Sequence, residues 1–136
     1  MKTFAGLAAG AAVLLAACAT SPPSTAKSQE ELAKTIAGRV AGEPVNCINQ
    51  QRISSSHIIE GLAIVYTMSD RSMYVNRPTS GASSLRSNAV MVTDTHSGQL
   101  CDIDIVRLHD SATQMPSGSV GLGKFVPYSR SDRSRS

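Results

Sequence analysis

Residues 57–77, HIIEGLAIVYTMSDRSMYVNR, hold three apolar runs separated by two turn signals. The turns are Glu60-Gly61 and Ser69-Asp70-Arg71, and the runs between them are too short for independent helices. Val, Ile, Tyr and Thr dominate the central run, a composition that fits a pleated surface. Two successive hairpins are therefore expected, with strands at 57–59, 62–68 and 73–77. The same texture continues on both sides, in runs at 47–54, 89–93, 100–108 and 124–128, and His96-Ser97-Gly98 supplies a third turn. Polar, Ser/Gly-rich stretches at 78–88 and 109–121 read as loops. Six or seven short strands at this spacing predict a mainly β fold, a small antiparallel sandwich or partly open barrel.

One helix signal precedes the strands. Ser28 with Glu31 three residues later forms a capping-box pattern, and Glu30 and Glu31 suit the positive end of the helix dipole. Leu32, Ala33, Ile36, Ala37 and Val40 share a helical face, and Gly42 and Pro44 stop the run. An amphipathic helix over 29–40 is expected, covering one open end or face of the sheets.

At the N-terminus Lys2 precedes an apolar run from Phe4 to Ala17. That run is shorter than the roughly 20 residues a transmembrane helix needs, and it suits a secretory signal. It ends in Leu15-Ala16-Ala17-Cys18, which resembles the bacterial lipoprotein processing box. The resemblance implies cleavage before Cys18, a diacylglycerol on its thiol and a further acyl chain on its freed amino group. Several chains make an anchor stable where one is marginal. Ala19, where an Asp would signal retention, implies sorting to the periplasmic face of the outer membrane. The expected organisation is a signal peptide at 1–17, a lipidated Cys and flexible tether at 18–27, a single helix-plus-β domain at 28–128, and a disordered Ser/Arg tail at 129–136.

Composition narrows the function classes. The chain has 136 residues, 41% hydrophobic and 17% charged, with three Tyr, two Phe and no Trp. Its net charge of +3 falls to +2 when Lys2 is removed with the signal, and Arg130, Arg133 and Arg135 against Asp132 carry all of that excess. The basic character belongs to the tail, which argues against a nucleic-acid-binding face.

With Cys18 taken by lipid, Cys47 and Cys101 remain of the three cysteines. In an oxidising compartment two such residues in a small domain are most simply a disulfide. Closing a loop of about 55 residues stabilises by roughly 4 kcal/mol in the chain-entropy model. A redox pair or a nucleophilic thiol is the competing reading. It lacks Cys-Xaa-Xaa-Cys spacing, and no His or basic residue lies within three positions of either Cys to lower its pKa.

Cys47-Ile48, Arg52-Ile53, Ile58-Ile59, Tyr74-Val75-Asn76-Arg77, Leu100-Cys101-Asp102, Asp104-Ile105-Val106 and Leu122-Gly123-Lys124-Phe125-Val126-Pro127 follow in that order. Together they resemble a family of small Gram-negative exported proteins whose function is not established, over about residues 45–128. Members often carry two further Cys, where this chain has Gly81 to Ser84 and Ser119-Val120. Their joint absence implies that the missing two pair with each other, and so that Cys47 pairs with Cys101. The resemblance implies no activity.

Several patterns touch on chemistry. Gly118 to Lys124 matches the start of a phosphate-binding loop. Phe125 follows instead of a hydroxyl residue, and Pro127 opposes the required helix, so a glycine-rich turn is expected. Asp102 and Asp104, read as alternating on one strand, would project about 7 Å apart on one face. With Asp94, His96, His109 or Asp110 they suggest acid/base work or a metal site. Alternatively Cys101, Ile103 and Ile105 form a buried face, and the Asp residues a wet one paired with Arg107, Arg52 or Arg77. His57, His96 and His109 lack a Gly-Xaa-Ser-Xaa-Gly partner for acyl transfer. Tyr74 and Tyr128 are groove candidates or core residues. The leading expectation is a non-enzymatic, lipid-anchored envelope binding or accessory module without metal or cofactor. Its partners are the membrane through Cys18 and an envelope protein or small ligand, with no nucleic acid. The alternative is a periplasmic hydrolase or metal-dependent enzyme using Asp102, Asp104 and a His.

Overall fold

The computed structural model describes residues 23–131. They form one helix, α1 (Pro23–Thr35), and ten strands: β1 (Arg39–Ala41), β2 (Cys47–Asn49), β3 (Ile53–Ile59), β4 (Ala63–Met68), β5 (Met73–Asn76), β6 (Ala89–Thr93), β7 (Gln99–Cys101), β8 (Ile105–Asp110), β9 (Pro116–Gly121) and β10 (Phe125–Arg130). Short 3-10 turns occupy Gln50–Arg52 and Ala82–Ser84. All pairings are antiparallel, in a five-stranded sheet ordered β1-β10-β5-β4-β3, a three-stranded sheet β6-β8-β9 and a β2-β7 ribbon. The fold is mainly β, with open sheets packed as a small sandwich and no closed barrel among the described residues.

The apolar run of β4 is continuous because both faces of its sheet are covered. Ile64, Tyr66 and Met68 point inward with Ile58 and Phe125, and meet Val106, Leu108 and Val120 from the three-stranded sheet and Ile48 and Leu100 from the ribbon. Tyr66 and Phe125 contact at 5.9 Å between ring centroids. Ala63 and Val65 point the other way, with Ile59 and Val75, and are covered by Leu32 of α1. The layers are thus helix, large sheet, small sheets. The helix does cover a face, as expected.

Its bounds differ from the expected 29–40. Proline at the first helical position sacrifices no hydrogen bond, so the helix extends back to Pro23 into the expected tether. Ser28 is consequently not a cap: it lies inside the helix, and its hydroxyl donates to the Glu60 carbonyl at 2.7 Å. Gly38 at φ +74° turns the chain out of the helix, and Arg39–Ala41 then pairs with β10. That pairing also brings Ser129 and Arg130, assigned to a tail by sequence, into the sheet. The expected strand at 47–54 is broken by the 3-10 turn, and the 57–59 strand is the end of the longer β3. Part of the 109–121 loop is β9, an edge strand with Val120 as its buried residue. Signal, lipidation box and residues 132–136 lie outside the described residues.

Chain passage between the two main sheets, from β9 to β10, runs through Leu122-Gly123-Lys124. Asn76, fully buried, donates from Nδ2 to the Gly123 carbonyl at 2.6 Å and accepts from the Gly123 N–H at 3.0 Å. A Cβ on Gly123 would lie 2.3 Å from the Arg77 carbonyl oxygen, so the position excludes every side chain. Asn76→Ala leaves the N–H and the carbonyl of buried Gly123 without their partner and is expected to cost about 2–4 kcal/mol. Urea unfolding checks this, the midpoint falling at unchanged slope.

Candidate functional site

Cys47 and Cys101 face each other across the β2-β7 ribbon and form a disulfide, with Cα atoms 4.0 Å apart. The Asp102 N–H donates to the Asn46 carbonyl at 2.8 Å, and the Gln50 N–H to the Gly98 carbonyl at 3.0 Å. By alternation the cysteine pair then occupies a non-hydrogen-bonded site, where opposing strands approach most closely. At such a site the Cys101 N–H points away from the ladder. The Asp104 carboxylate accepts it at 2.7 Å. Asp104 also donates its own N–H to the Cys101 carbonyl at 3.0 Å, and its carbonyl accepts from the Leu122 N–H at 3.1 Å.

Asp104 is therefore a structural tie, and the expected geometry of the 100–108 segment is corrected. Asp102 and Ile103 form a turn between β7 and β8, so the two aspartates do not alternate along a strand. Ile103 and Ile105 are 86% and 63% exposed rather than buried, because the chain is changing sheets there. The expected cation partners are also elsewhere: Arg107 pairs with Asp94 at 3.2 Å and Arg52 with Asp70 at 3.5 Å. Asp110 accepts from the Ala112 and Thr113 N–H groups at 2.9 Å, which holds its carboxyl below the ordinary aspartate range. His57 contacts Glu31 at 2.8 Å, His109 contacts the Gln114 carbonyl at 3.3 Å, and His96 is exposed in its turn. Among the described residues no three His, Cys, Asp or Glu are grouped to hold a metal.

The other candidates resolve into packing. Gly118 and Gly121 belong to β9, and a strand, not a helix, follows Lys124. Gly118 sits at φ +148° with Ser84 against its backbone, where a Cβ would come within 2.8 Å of that side chain. Tyr74 and Tyr128 are half-buried, each against one of the two apolar clusters. Burial of Tyr66 pushes its phenol well above the ordinary range, so it stays protonated.

A cleft of about 850 Å³ opens beside the N-terminal half of α1. Lys27 and Glu31 come from the helix, Glu60 and Leu62 from the β3-β4 turn, and Leu85, Arg86 and Ser87 from the segment before β6. The Gly61 N–H donates to the Leu85 carbonyl at 3.1 Å, joining turn and segment. The Glu60 carboxylate accepts from the Ser87 hydroxyl at 2.7 Å and the Ser87 N–H at 3.1 Å. Those bonds, with smaller contributions from Arg86 and Lys27, hold its pKa below the ordinary glutamate range. Such a carboxylate is a weak proton acceptor, better suited to holding structure than to acid/base work. Sequence reading did not single out Lys27, Glu60, Arg86 or Ser87 for a site: they come from three separate segments and share no spacing.

No family model matches the chain, and no curated protein and no solved structure matches it.

Two outcomes are expected. Asp104→Ala, which leaves the Cys101 N–H without its acceptor, lowers stability by about 1–2 kcal/mol, whereas Asp104→Asn keeps a carbonyl acceptor and most of that stability; thermal melts of the two variants compare them. Glu60's folded pKa is depressed, so its stabilising contribution is present above its unfolded value and lost as pH falls through the folded one. The Ser87 amide resonance, followed by NMR on acidification, is expected to move with a midpoint below that of a free glutamate.

Proposed function

We propose that this chain is a lipoprotein, anchored through Cys18 to the periplasmic face of the outer membrane. There it serves as a non-enzymatic envelope binding or accessory module of the small exported family it resembles. The observation that carries the reading is how little chain lies between the processing box and the folded body. α1 begins at Pro23, and Leu32 on it is 3% exposed under the large sheet. Five residue steps from Cys18 to Pro23 reach at most about 17 Å. A lipid on Cys18 therefore holds the domain close to the bilayer, with the cleft beside the same helix near the headgroups. An envelope protein or small ligand taken there would be bound at the membrane surface.

Binding is favoured over catalysis by how the candidate groups are used. Asp104 is occupied by the Cys101 backbone, and Glu60 by Ser87. The disulfide between Cys47 and Cys101 fits an exported protein, since such bonds persist in oxidising compartments.

The test is the intact mass of protein extracted from membranes, with and without reduction and alkylation. The expected species is residues 18–136 plus three acyl chains, with two alkylatable thiols after reduction alone. Cys18→Ser is expected to move the protein to the soluble periplasmic fraction. An unlipidated wild-type species overturns the anchor.

A further inference from the structure

At the opposite end of β4 from the cleft, folding gathers charge that the sequence disperses. The β4-β5 turn carries Asp70, Arg71 and Ser72, and the β1-β10 pair ends in Arg39 facing Arg130. Arg39, Asp70, Arg71, Ser72, Ser129 and Arg130 line a cleft of about 310 Å³. Its carboxylate does not neutralise it. Asp70 accepts from the Ser72 N–H at 3.0 Å and from the Ser72 hydroxyl, and pairs with Arg52. Arg39 is held in place by donating to the carbonyls of Arg71 at 3.1 Å and Tyr128 at 3.4 Å. No carboxylate among the described residues pairs with Arg71 or Arg130. The cleft thus holds three arginines and one aspartate that is already paired with Arg52, in a domain whose remaining described residues hold more carboxylates than cations.

The backbone adds an independent observation. Arg71 has φ +69°, a conformation in which Gly or Asn is cheaper by roughly 1 kcal/mol. A residue held at a local disadvantage is a reason to look for a use of its side chain. Arg71 and Arg130 are exposed and line the cleft together with the half-buried, fixed Arg39. Guanidinium forks match tetrahedral oxyanions in a bidentate way, and a doubly charged anion offsets the repulsion among three of them.

We propose that this cleft is a phosphate-binding site, with Arg71 and Arg130 as the contacting residues and Arg39 as the positioning one. Phosphate esters on lipid headgroups and free phosphate in solution share the chemistry, and orientation bears on which is met. α1 runs from the anchor-proximal cleft towards this end, so an upright domain presents the arginines away from its own membrane. The site depends on the folded domain and not on the anchor, so its failure is separable from that of the lipoprotein reading.

The experiment uses the full mature chain carrying Cys18→Ser, followed by NMR at the Ser72 and Ser129 amides and the arginine Nε–H groups. Inorganic phosphate is titrated in one arm; in the other, flotation compares phosphatidylglycerol with phosphatidylcholine vesicles. Arg71→Asn, which relieves the backbone, and Arg130→Gln are each expected to weaken binding at least fivefold, while Lys124→Gln leaves it unchanged. Saturable shifts with inorganic phosphate support a soluble ligand. Flotation with phosphatidylglycerol alone, lost in the arginine variants, supports a headgroup. No response in either arm, or equal weakening by the lysine variant, overturns the site.

Discussion

The buried peptide of Gly123 is the constraint on which the assembly depends. Three hydrogen-bonded sheets share no ladder with one another, and they are joined where residues 122–125 pass between them. Leu122 donates to Asp104 beside the ribbon, Gly123 exchanges two bonds with Asn76 of β5, and Phe125 exchanges two with Val45. Phe125 then fills the centre of the sandwich. Because Gly123 lies against the Arg77 carbonyl, the passage has no room to relax, and the register of β10 on β5 is fixed by it. The disulfide serves the weakest part of this arrangement. A ladder of three residue pairs is marginal by itself, and the covalent bond at its end keeps Ile48 and Leu100 in the core.

Helix α1 relates the two ends of the molecule. Its early turns are tied to the β3-β4 turn through Ser28 and Glu60, and the chain leaving it enters β1 beside the β4-β5 turn. Whatever holds the start of the helix therefore sets the direction of the arginine cleft. The charge distribution follows the same axis: Lys27 and Arg86 are offset by Glu31 and Glu60 at one end, whereas at the other Asp70 is already used by its own turn and Arg52. Net charge read from sequence averages over this separation, and so describes the domain as neutral although its arginine end is not.

The hairpins at 57–77 and the mainly β class were legible because turn chemistry and β-branched runs are local properties. The boundaries that moved did so through partners distant in sequence. Ser28 has the composition of a cap, but the carbonyl it serves belongs to Glu60, 32 residues away. Gly38 was a readable stop signal; Gly42 and Pro44 obscured it, since a three-residue strand such as β1 has too little pattern to register. β9 was hidden for a related reason. An edge strand with a single buried valine needs no alternation, and its glycines reflect the crowding of Ser84 and Ser80 rather than a loop.

Asp102 and Asp104 show the limit most directly. Alternation is the right inference for a strand, but the segment leaves one sheet for another within four residues, and the exposed Ile103 marks the crossing. Local pattern could not reveal this, because the cause is the ribbon's own geometry. A close cysteine pair occupies a non-hydrogen-bonded site, such a site turns the Cys101 N–H outward, and a carboxylate three residues on is the group within reach to accept it. Asp104 thus follows from the disulfide. Two residues that looked like separate candidates, one for redox chemistry and one for acid/base chemistry, are parts of one structural joint.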